Sequence, residues 1–508
     1  MALVRLVGER MPERYALRCP RATVPSIARR RGGWMPATDA PRLVPSAMMD
    51  LQPLVLGRVP PPIAALVRRL QAEGHRACLV GGCVRDLLRG VPVSDWDVGT
   101  SARPEQVLHL YPGAIPTGMK HGTVTIPTPA GPCEVTTFRV ERGYSDGRHP
   151  DRVEFVPDLE SDLARRDFTV NAIAWNPISG DQVDPFGGRA DLAAGILRAV
   201  GEPLERFRED GLRPIRAARF AATLEFQIED RTAKALGQAR DGVERVAVER
   251  VRDELMKMLG GRLPSLGFEA LRGSGLLPVL LPELHACVGA PQNRYHAYDV
   301  YNHTLHTIDA ATPEKPVVRL AALFHDLGKP ATRAEKEGGE ATFYNHQIES
   351  AKLAEEAMTR LRFSKDTIAR VVHLVRHHMF DYRSEWTDAA VRRFVRGVGA
   401  ENIADLFDLR IADNIGNGTK TGFPHYLGEF RERIEAVHQA QEALSLRDLK
   451  ITGEDVMREL GLPAGPRVGK ILNRLLDEVI EDPRLNDRNR LLGRVREGFP
   501  VDRPASGA

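Results

Sequence analysis

The stretch LVGGCVRDLLRGVPVSDWDVGT (residues 79–100) constrains the fold more than any other part of the chain. An apolar run ends in the glycine pair Gly81 and Gly82, and SDWDV then sets Asp95 and Asp97 two residues apart in a segment with a strand pattern. Side chains two apart on a strand share a face, so these carboxylates repel each other unless a cation lies between them. Trp96 then points the other way, into a core. The surrounding pattern is mixed from Ile63 to about Val200. IAALVRRLQAEG has helical periodicity, RACLVGG reads as a strand, CVRDLLRG as a helix, and DWDVGT, KHGTVTIPT and CEVTTFRV as further strands. The expectation is a small α/β domain built on a mixed sheet.

At 508 residues the chain exceeds a single core and predicts three or four domains. After residue 200, charged helical patterns dominate, broken near GGRLPS (residues 260–265), RAEKEGGEAT (333–342) and GNGTKTGFPHY (416–426). No apolar run approaches the roughly 18 residues of a membrane span. Cys19, Cys78, Cys83, Cys133 and Cys287 are scattered, which suggests neither a disulfide framework nor a zinc knuckle and fits a reducing cytoplasm. The net charge of +3 hides an asymmetry, because residues 1–49 hold nine Arg against three acids. The remainder is slightly acidic, so any RNA contact must use a local basic stripe. The Pro- and Arg-rich first 49 residues are expected to be a disordered extension, or to precede a true start at Met48 or Met49; a transit peptide would look similar.

Asp95 and Asp97 suit Mg²⁺, which takes oxygen ligands in an octahedron and leaves positions for substrate phosphates. Glu134, opening EVTTFRV, is the available third carboxylate. Gly81 and Gly82 allow close approach of a triphosphate to the backbone, the helix beginning near Cys83 aims N–H groups at the same anion, and Arg85 adds a charge-assisted contact. Each piece alone has an ordinary explanation as a turn or a solvated strand. Their combination points to nucleotidyl transfer.

This arrangement resembles the polymerase-β-like nucleotidyltransferase superfamily. RRDFTVNAIAWNP (residues 165–177), DPFGGRADL (184–192) and EDGLRPIRAARF (209–220) look like successive motifs of bacterial tRNA nucleotidyltransferases, the CCA-adding enzymes. RGYSDGRHPDRVEFV (142–156) resembles their flexible loop, and the likeness runs from about residue 63 to 500. It implies metal binding by Asp95 and Asp97. It also implies contacts to ribose and nucleotide from Arg166, Asp167 and Asn171, with Arg216 in the nucleotide-binding set; local capping of a helix would also explain Asp167 and Asn171.

EDGLR offers a way to choose a nucleotide without a nucleic-acid template. Asp210 can accept from the N4 amino group of cytosine while Arg213 donates to N3 and O2. Adenine offers a similar amino group beside a ring acceptor, whereas uracil and guanine would face the carboxylate with a carbonyl. The resemblance assigns the template role to the same two residues, with Glu209 bracing the arginine. Pro214 cannot donate a helical N–H, so the helix is expected to start around Arg213.

A second constellation follows. AALFHDLGKP (residues 321–330) carries His325 and Asp326, with His303 on an earlier helical segment and Asp413 on a later one. This order resembles HD-type metal phosphohydrolases, in which a helical bundle gathers such side chains around a divalent ion; the imidazoles suit a transition metal. His346 and one of the adjacent pair His377 and His378, here taken as His377, look like the extra ligands of two-metal members, and Lys329 is placed to touch a phosphate. The resemblance implies hydrolysis of phosphomonoesters or 2′,3′-cyclic phosphates on damaged RNA ends. VERVAVERVRDELMKML (243–259) reads as a neck helix with one packed side, its cations either solvated or facing tRNA, and GPRVGK (465–470) as a phosphate clamp at a helix start.

The expected architecture is an α/β head of nucleotidyltransferase type followed by an all-α neck, an HD helical bundle and a helical tail. The divisions fall at 1–49, 50–201, 202–265, 266–440 and 441–508. The expected function is template-independent CCA addition to tRNA from CTP and ATP with Mg²⁺, and an HD activity using a divalent transition metal. CC-only or A-only addition, poly(A) synthesis, and a mainly hydrolytic enzyme that only holds RNA with its head are the alternatives. The intact set Asp95, Asp97, Asp210 and Arg213 argues against the last. No membrane partner is expected.

Overall fold

The structure is a computed structural model that describes residues 51–143, 152–337, 340–419, 424–439 and 445–498. The expectations for residues 1–49 and for most of the loop at 142–156 lie outside the described residues.

The head opens with the helix Pro61–Ala72, which starts at a proline and buries Ile63, Leu66, Val67 and Leu70. It leads into β1 (Ala77–Val80), buried along its whole length. The helix Gly82–Arg89 follows at once and ends at Gly90, in the left-handed conformation that glycine adopts without a Cβ clash. β2 (Trp96–Thr100), β3 (Ile115–Gly118), β4 (Thr123–Thr128) and β5 (Gly131–Thr137) come next. A separate hairpin pairs β6 (Arg139–Arg142) with β7 (Arg152–Phe155), and β8 (Ala174–Trp175) and β9 (Gln182–Val183) complete the main sheet. Its order is β3-β4-β5-β2-β1-β8-β9. β2 runs parallel to β5 and antiparallel to β1, which places the two acid-bearing strands side by side near the centre. Trp96 and Val98 point into the core, as the alternation predicts.

Beyond the head the chain is almost entirely helical. The helix Arg213–Leu224 starts where Pro214 predicts and packs on Val248–Leu259 and Pro264–Gly273. Gly267 permits that packing, because a Cβ there would stand 2.8 Å from the Ala218 carbonyl oxygen. The helices Val300–Ala310, Pro316–Phe324, His346–Arg360, Lys365–His377 and Ile403–Gly416 form a bundle. Gly328 lies so close to His346–Arg360 that a Cβ would meet the backbone of His346 and Ser350 at 2.6 Å. One apolar core runs continuously from the head into this bundle. The tail helices Gly453–Leu460, Pro466–Glu481 and Arg488–Gly498 bury a core of their own around Val456, Leu475 and Val495. Buried Arg392 joins tail to bundle by donating to the Ile480 carbonyl at 2.6 Å.

Candidate functional site

In the head, the register of β2 against β5 pairs Asp97 directly with Glu134. SDWDV predicts Asp95 within the strand, but it lies in the bend just before β2, close enough to raise Asp97. No ion pair reaches any of the three carboxylates among the described residues; Asp95 accepts only from its neighbour Ser94, at 2.8 Å. Burial, with smaller contributions from Glu134 and Asp95 and against the pull of Arg166, raises the Asp97 carboxyl to about 6. Three adjacent carboxylates, one of them raised by burial, form an oxygen donor set suited to a hard divalent cation such as Mg²⁺.

The glycine pair borders this cluster for a steric reason. Gly81 has φ 77°, and a Cβ there would lie 2.5 Å from Arg166 Nη1. Arg85 Nη1 donates to Asn171 Oδ1 at 2.7 Å while its other edge is bound to Asp86. Asp167 is buried and accepts from the Phe168 amide and Asn171 Nδ2 with one oxygen, and from Arg216 Nε and Nη2 at 2.9 and 2.7 Å with the other. Burial alone would raise its pKa, but Arg216 and these hydrogen bonds hold it well below the usual carboxylate range. Asp167 and Asn171 therefore bond to each other rather than cap a helix, since the short turn Thr169–Asn171 has no side-chain cap, and together they fix Arg85 and Arg216 along one wall. Asp162, absent from the sequence reading, ties Arg165 at 2.7 Å and Arg166 at 3.6 Å.

Glu209 braces Arg213 at 2.6 Å. Arg213 Nη1 also donates to the Arg206 carbonyl and Nη2 to the Arg165 carbonyl, at 3.0 and 2.9 Å. Those bonds leave Nε–H and one Nη2–H uncommitted among the described residues. Asp210 accepts from the Leu212 amide at 3.0 Å and, through both oxygens, from Arg250 at 3.2 and 2.9 Å. Arg250, which sequence reasoning passed over, is thus the partner that holds Asp210. Its place in the neck pattern makes it one cation among several, and only the fold reveals the partner forty residues away.

In the bundle, ligating atoms converge in a buried cluster. His303 Nε2 lies 3.1 Å from His325 Nε2, 3.3 Å from Asp326 Oδ2 and 3.2 Å from Asp413 Oδ1. On the other side of Asp326, Oδ1 is 3.3 Å from His346 Nε2, which is itself 3.3 Å from His378 Nε2. His325, His346 and His378 each turn Nδ1 to a backbone carbonyl three residues earlier, at 2.8, 2.8 and 2.6 Å. That leaves their Nε2 lone pairs facing one another, an arrangement that a cation relieves. Asp326 Oδ2 has no well-aligned hydrogen bond. Burial would lower the pKa of His303, yet Asp326 and Asp413 hold it up at about 9, the same attraction that a metal would meet. Asp326 belongs to both candidate ligand groups, His303–His325–Asp326 and Asp326–His346–His378, and so stands where a bridge between two ions would.

The choice of His377 is corrected: the histidine that joins the buried group with Asp326 and His346 is His378. His377 ends its helix half-buried against His373, because one residue along a helix turns the side chain by about 100°. Lys329 lines the cavity, donates to Gln292 Oε1 at 2.6 Å and forms an ion pair with Asp326 Oδ2 at 2.6 Å.

Known proteins resemble this chain over most of its length. Residues 77–198 match the model "Poly A polymerase head domain", residues 225–288 "Probable RNA and SrmB- binding site of polymerase A", and residues 340–495 "tRNA nucleotidyltransferase domain 2". The chain is 33% identical to a CCA-adding enzyme of Limosilactobacillus fermentum, over 85% of this chain and 95% of that one. It is 36% identical to an A-adding tRNA nucleotidyltransferase of Deinococcus radiodurans, over 79% and 91%. Among solved structures, the Bacillus stearothermophilus CCA-adding enzyme in complex with CTP superposes with a TM-score of 0.67 at 29% identity, covering 87% of this chain and 98% of that one.

Proposed function

The chain belongs to the bacterial CCA-adding enzyme family, and on that premise we propose that it adds C, C and A in turn to the 3′ end of tRNA, from CTP and ATP. Asp95, Asp97 and Glu134 would hold Mg²⁺, which supplies charge neutralisation at the α-phosphate and acidifies the attacking 3′-hydroxyl. In the step itself that hydroxyl oxygen bonds to the α-phosphorus and the bond to the leaving pyrophosphate breaks. The amides after Gly81, with Arg85 and Arg166, bind the triphosphate; Asp167 and Arg216 keep that wall in place. The exposed Arg467 and Lys470, at the start of the helix Pro466–Glu481, suit a phosphate of the tRNA backbone.

The observation that supports this reading best is Arg213 with two uncommitted N–H groups, braced by Glu209 beside Asp210. It is an edge shaped for an amino group next to a ring acceptor, as cytosine and adenine present. Incubating tRNA that lacks its last three nucleotides with CTP, ATP or both tests it. CTP alone should add two residues, both together three, and ATP alone none. Extension only of tRNA already ending in CC would place the chain with its A-adding relative instead. Termination after two residues with both nucleotides would make it a CC-adding enzyme, and a run of A a poly(A) polymerase.

A second reading has its own support in the converging His and Asp side chains of the bundle. We infer there a phosphohydrolase of phosphorylated or cyclic-phosphate RNA ends, held by His303, His325, Asp326, His346, His378 and Asp413. A divalent transition metal would supply an activated water. Hydrolysis of a 2′,3′-cyclic phosphate forms one P–O bond to water and breaks one to the ribose, with the proton passing to the released ribose oxygen.

A further inference from the structure

The bundle's ligand cluster forms the floor of a cavity of about 500 Å³ that opens to solvent. Its wall carries the cations Lys329, Lys336 and Arg410, which suit a phosphate. Its mouth is different in character. Tyr295 and Tyr344 line it while remaining 54% and 69% exposed, and Met379 stands beside them at 52%. Two exposed aromatic rings at the rim of a polar floor offer flat faces on which a base can stack. Each already has a cation over one face, with Arg294 at 5.1 Å from the centre of the Tyr295 ring and Lys336 at 5.5 Å from that of Tyr344. Arg294 reaches across to Glu340 at 3.5 Å and so links the two sides of the mouth.

Both rings are anchored to the ligand set through the backbone. Tyr344 sits two residues before His346, between Phe343, whose carbonyl accepts from His346 Nδ1, and Asn345, which opens the ligand's helix at φ 61°. Tyr295 precedes His296, whose ring packs against His303. The Tyr295 carbonyl also accepts from Thr419 at 2.8 Å, six residues beyond Asp413. The segments that carry both rings are therefore tied to the segments that carry His303 and His346.

Resting on the phosphohydrolase reading, we propose that Tyr295 and Tyr344 are a base-stacking subsite. They make the bundle select a nucleotide carrying a phosphate on its ribose 2′ or 3′ oxygen over a phosphate ester without a base. The volume suits one nucleotide, and stacking is tolerant of sequence, because every base offers a π face.

The test compares the full-length, metal-loaded protein with the double variant Tyr295→Ala/Tyr344→Ala on three probes. These are adenosine 2′,3′-cyclic phosphate, a short RNA ending in a 2′,3′-cyclic phosphate, and the base-free 1-O-methylribose 2′,3′-cyclic phosphate. The variant should raise KM for the two nucleotide probes roughly 5- to 100-fold, leave the base-free probe unchanged, and keep its metal content. The double Phe variant should restore KM, since it keeps both rings. The RNA and mononucleotide arms tell an RNA end from a free nucleotide as the source. Equal KM for all probes in the parent protein, or an equal change on all three in the Ala variant, overturns the subsite while leaving hydrolysis standing. Absence of hydrolysis of every probe with Mn²⁺, Co²⁺, Ni²⁺ and Mg²⁺ overturns the phosphohydrolase reading, and the subsite with it.

Discussion

The two acidic clusters of this chain solve opposite problems. The head cluster stands at the edge of a strand, with Asp95 and Glu134 exposed and no ion pair among the described residues to any of its three carboxylates. The bundle cluster is buried: His303 and His325 are fully enclosed, Asp326 is 2% exposed, and three imidazoles are oriented by backbone carbonyls. An open set of oxygens suits an ion that arrives with a triphosphate and leaves with pyrophosphate. A closed set of imidazoles suits a resident ion, because its ligands are oriented before the metal binds. On the proposed reading, one chain would pair a metal site completed by substrate with a metal site completed by the fold.

If that contrast holds, Asp97→Asn should give the largest effect, lowering nucleotide addition by about a thousandfold or more through loss of transition-state charge stabilisation. Metal retained after gel filtration should be unchanged, since the bundle holds it. Asp326→Asn should do the reverse, emptying the bundle by elemental analysis while CCA addition continues. Loss of bound metal from Asp97→Asn, on an otherwise intact fold, would place a resident ion in the head and dissolve the contrast.

The next test works inside the bundle. His378→Ala should weaken one of two bound ions by roughly a hundredfold, because it removes a ligand rather than an outer partner, whose loss already costs 10- to 100-fold. His377→Ala should leave both ions in place. Metal titration of the two variants decides this: equal affinities would mean that His378 is an ordinary core histidine. A single equivalent of metal in the parent protein would mean that Asp326 does not bridge.

These neighbours also mark where sequence stops being legible. Asp95 and Asp97 could be read as a pair because a strand's period of two is visible in SDWDV, and Trp96 on the opposite face was implied by the same alternation. The start of the helix at Arg213 was legible because Pro214 restricts it chemically. The histidines were recognisable as a set, but choosing between His377 and His378 requires the rotation of the helix end against the bundle, which depends on tertiary packing. Arg250 was illegible for a related reason. Among the alternating charges of VERVRDELMKML nothing distinguishes the cation that turns inward, and its partner lies on a loop forty residues away. Local periodicity carries strands, caps and motif order; long-range ion pairs are set by how helices cross.

Arg250 supplies the smallest expected effect and the sharpest question about the head. Its guanidinium grips both oxygens of Asp210, which on the proposed reading must present a lone pair to the base at one angle. The pair is partly exposed, with side chains at 25% and 20%, so solvent screening limits its stabilising value and the fold should survive its loss. What Arg250→Ala should lose is orientation. Asp210 keeps its bond to the Leu212 amide but gains rotational freedom, and incorporation of C relative to U should fall by roughly tenfold, the effect of about one hydrogen bond. Arg250→Lys keeps the charge without the two-pronged geometry and should recover only part of the selectivity, because an ammonium is a point charge and the fork is not. Incorporation of each of the four nucleotides into tRNA lacking CCA measures this directly. If Arg250→Ala slows all four equally and leaves the preference intact, the Leu212 amide is sufficient to aim Asp210. Arg250 would then serve only to pack the neck helix against the loop that precedes Arg213.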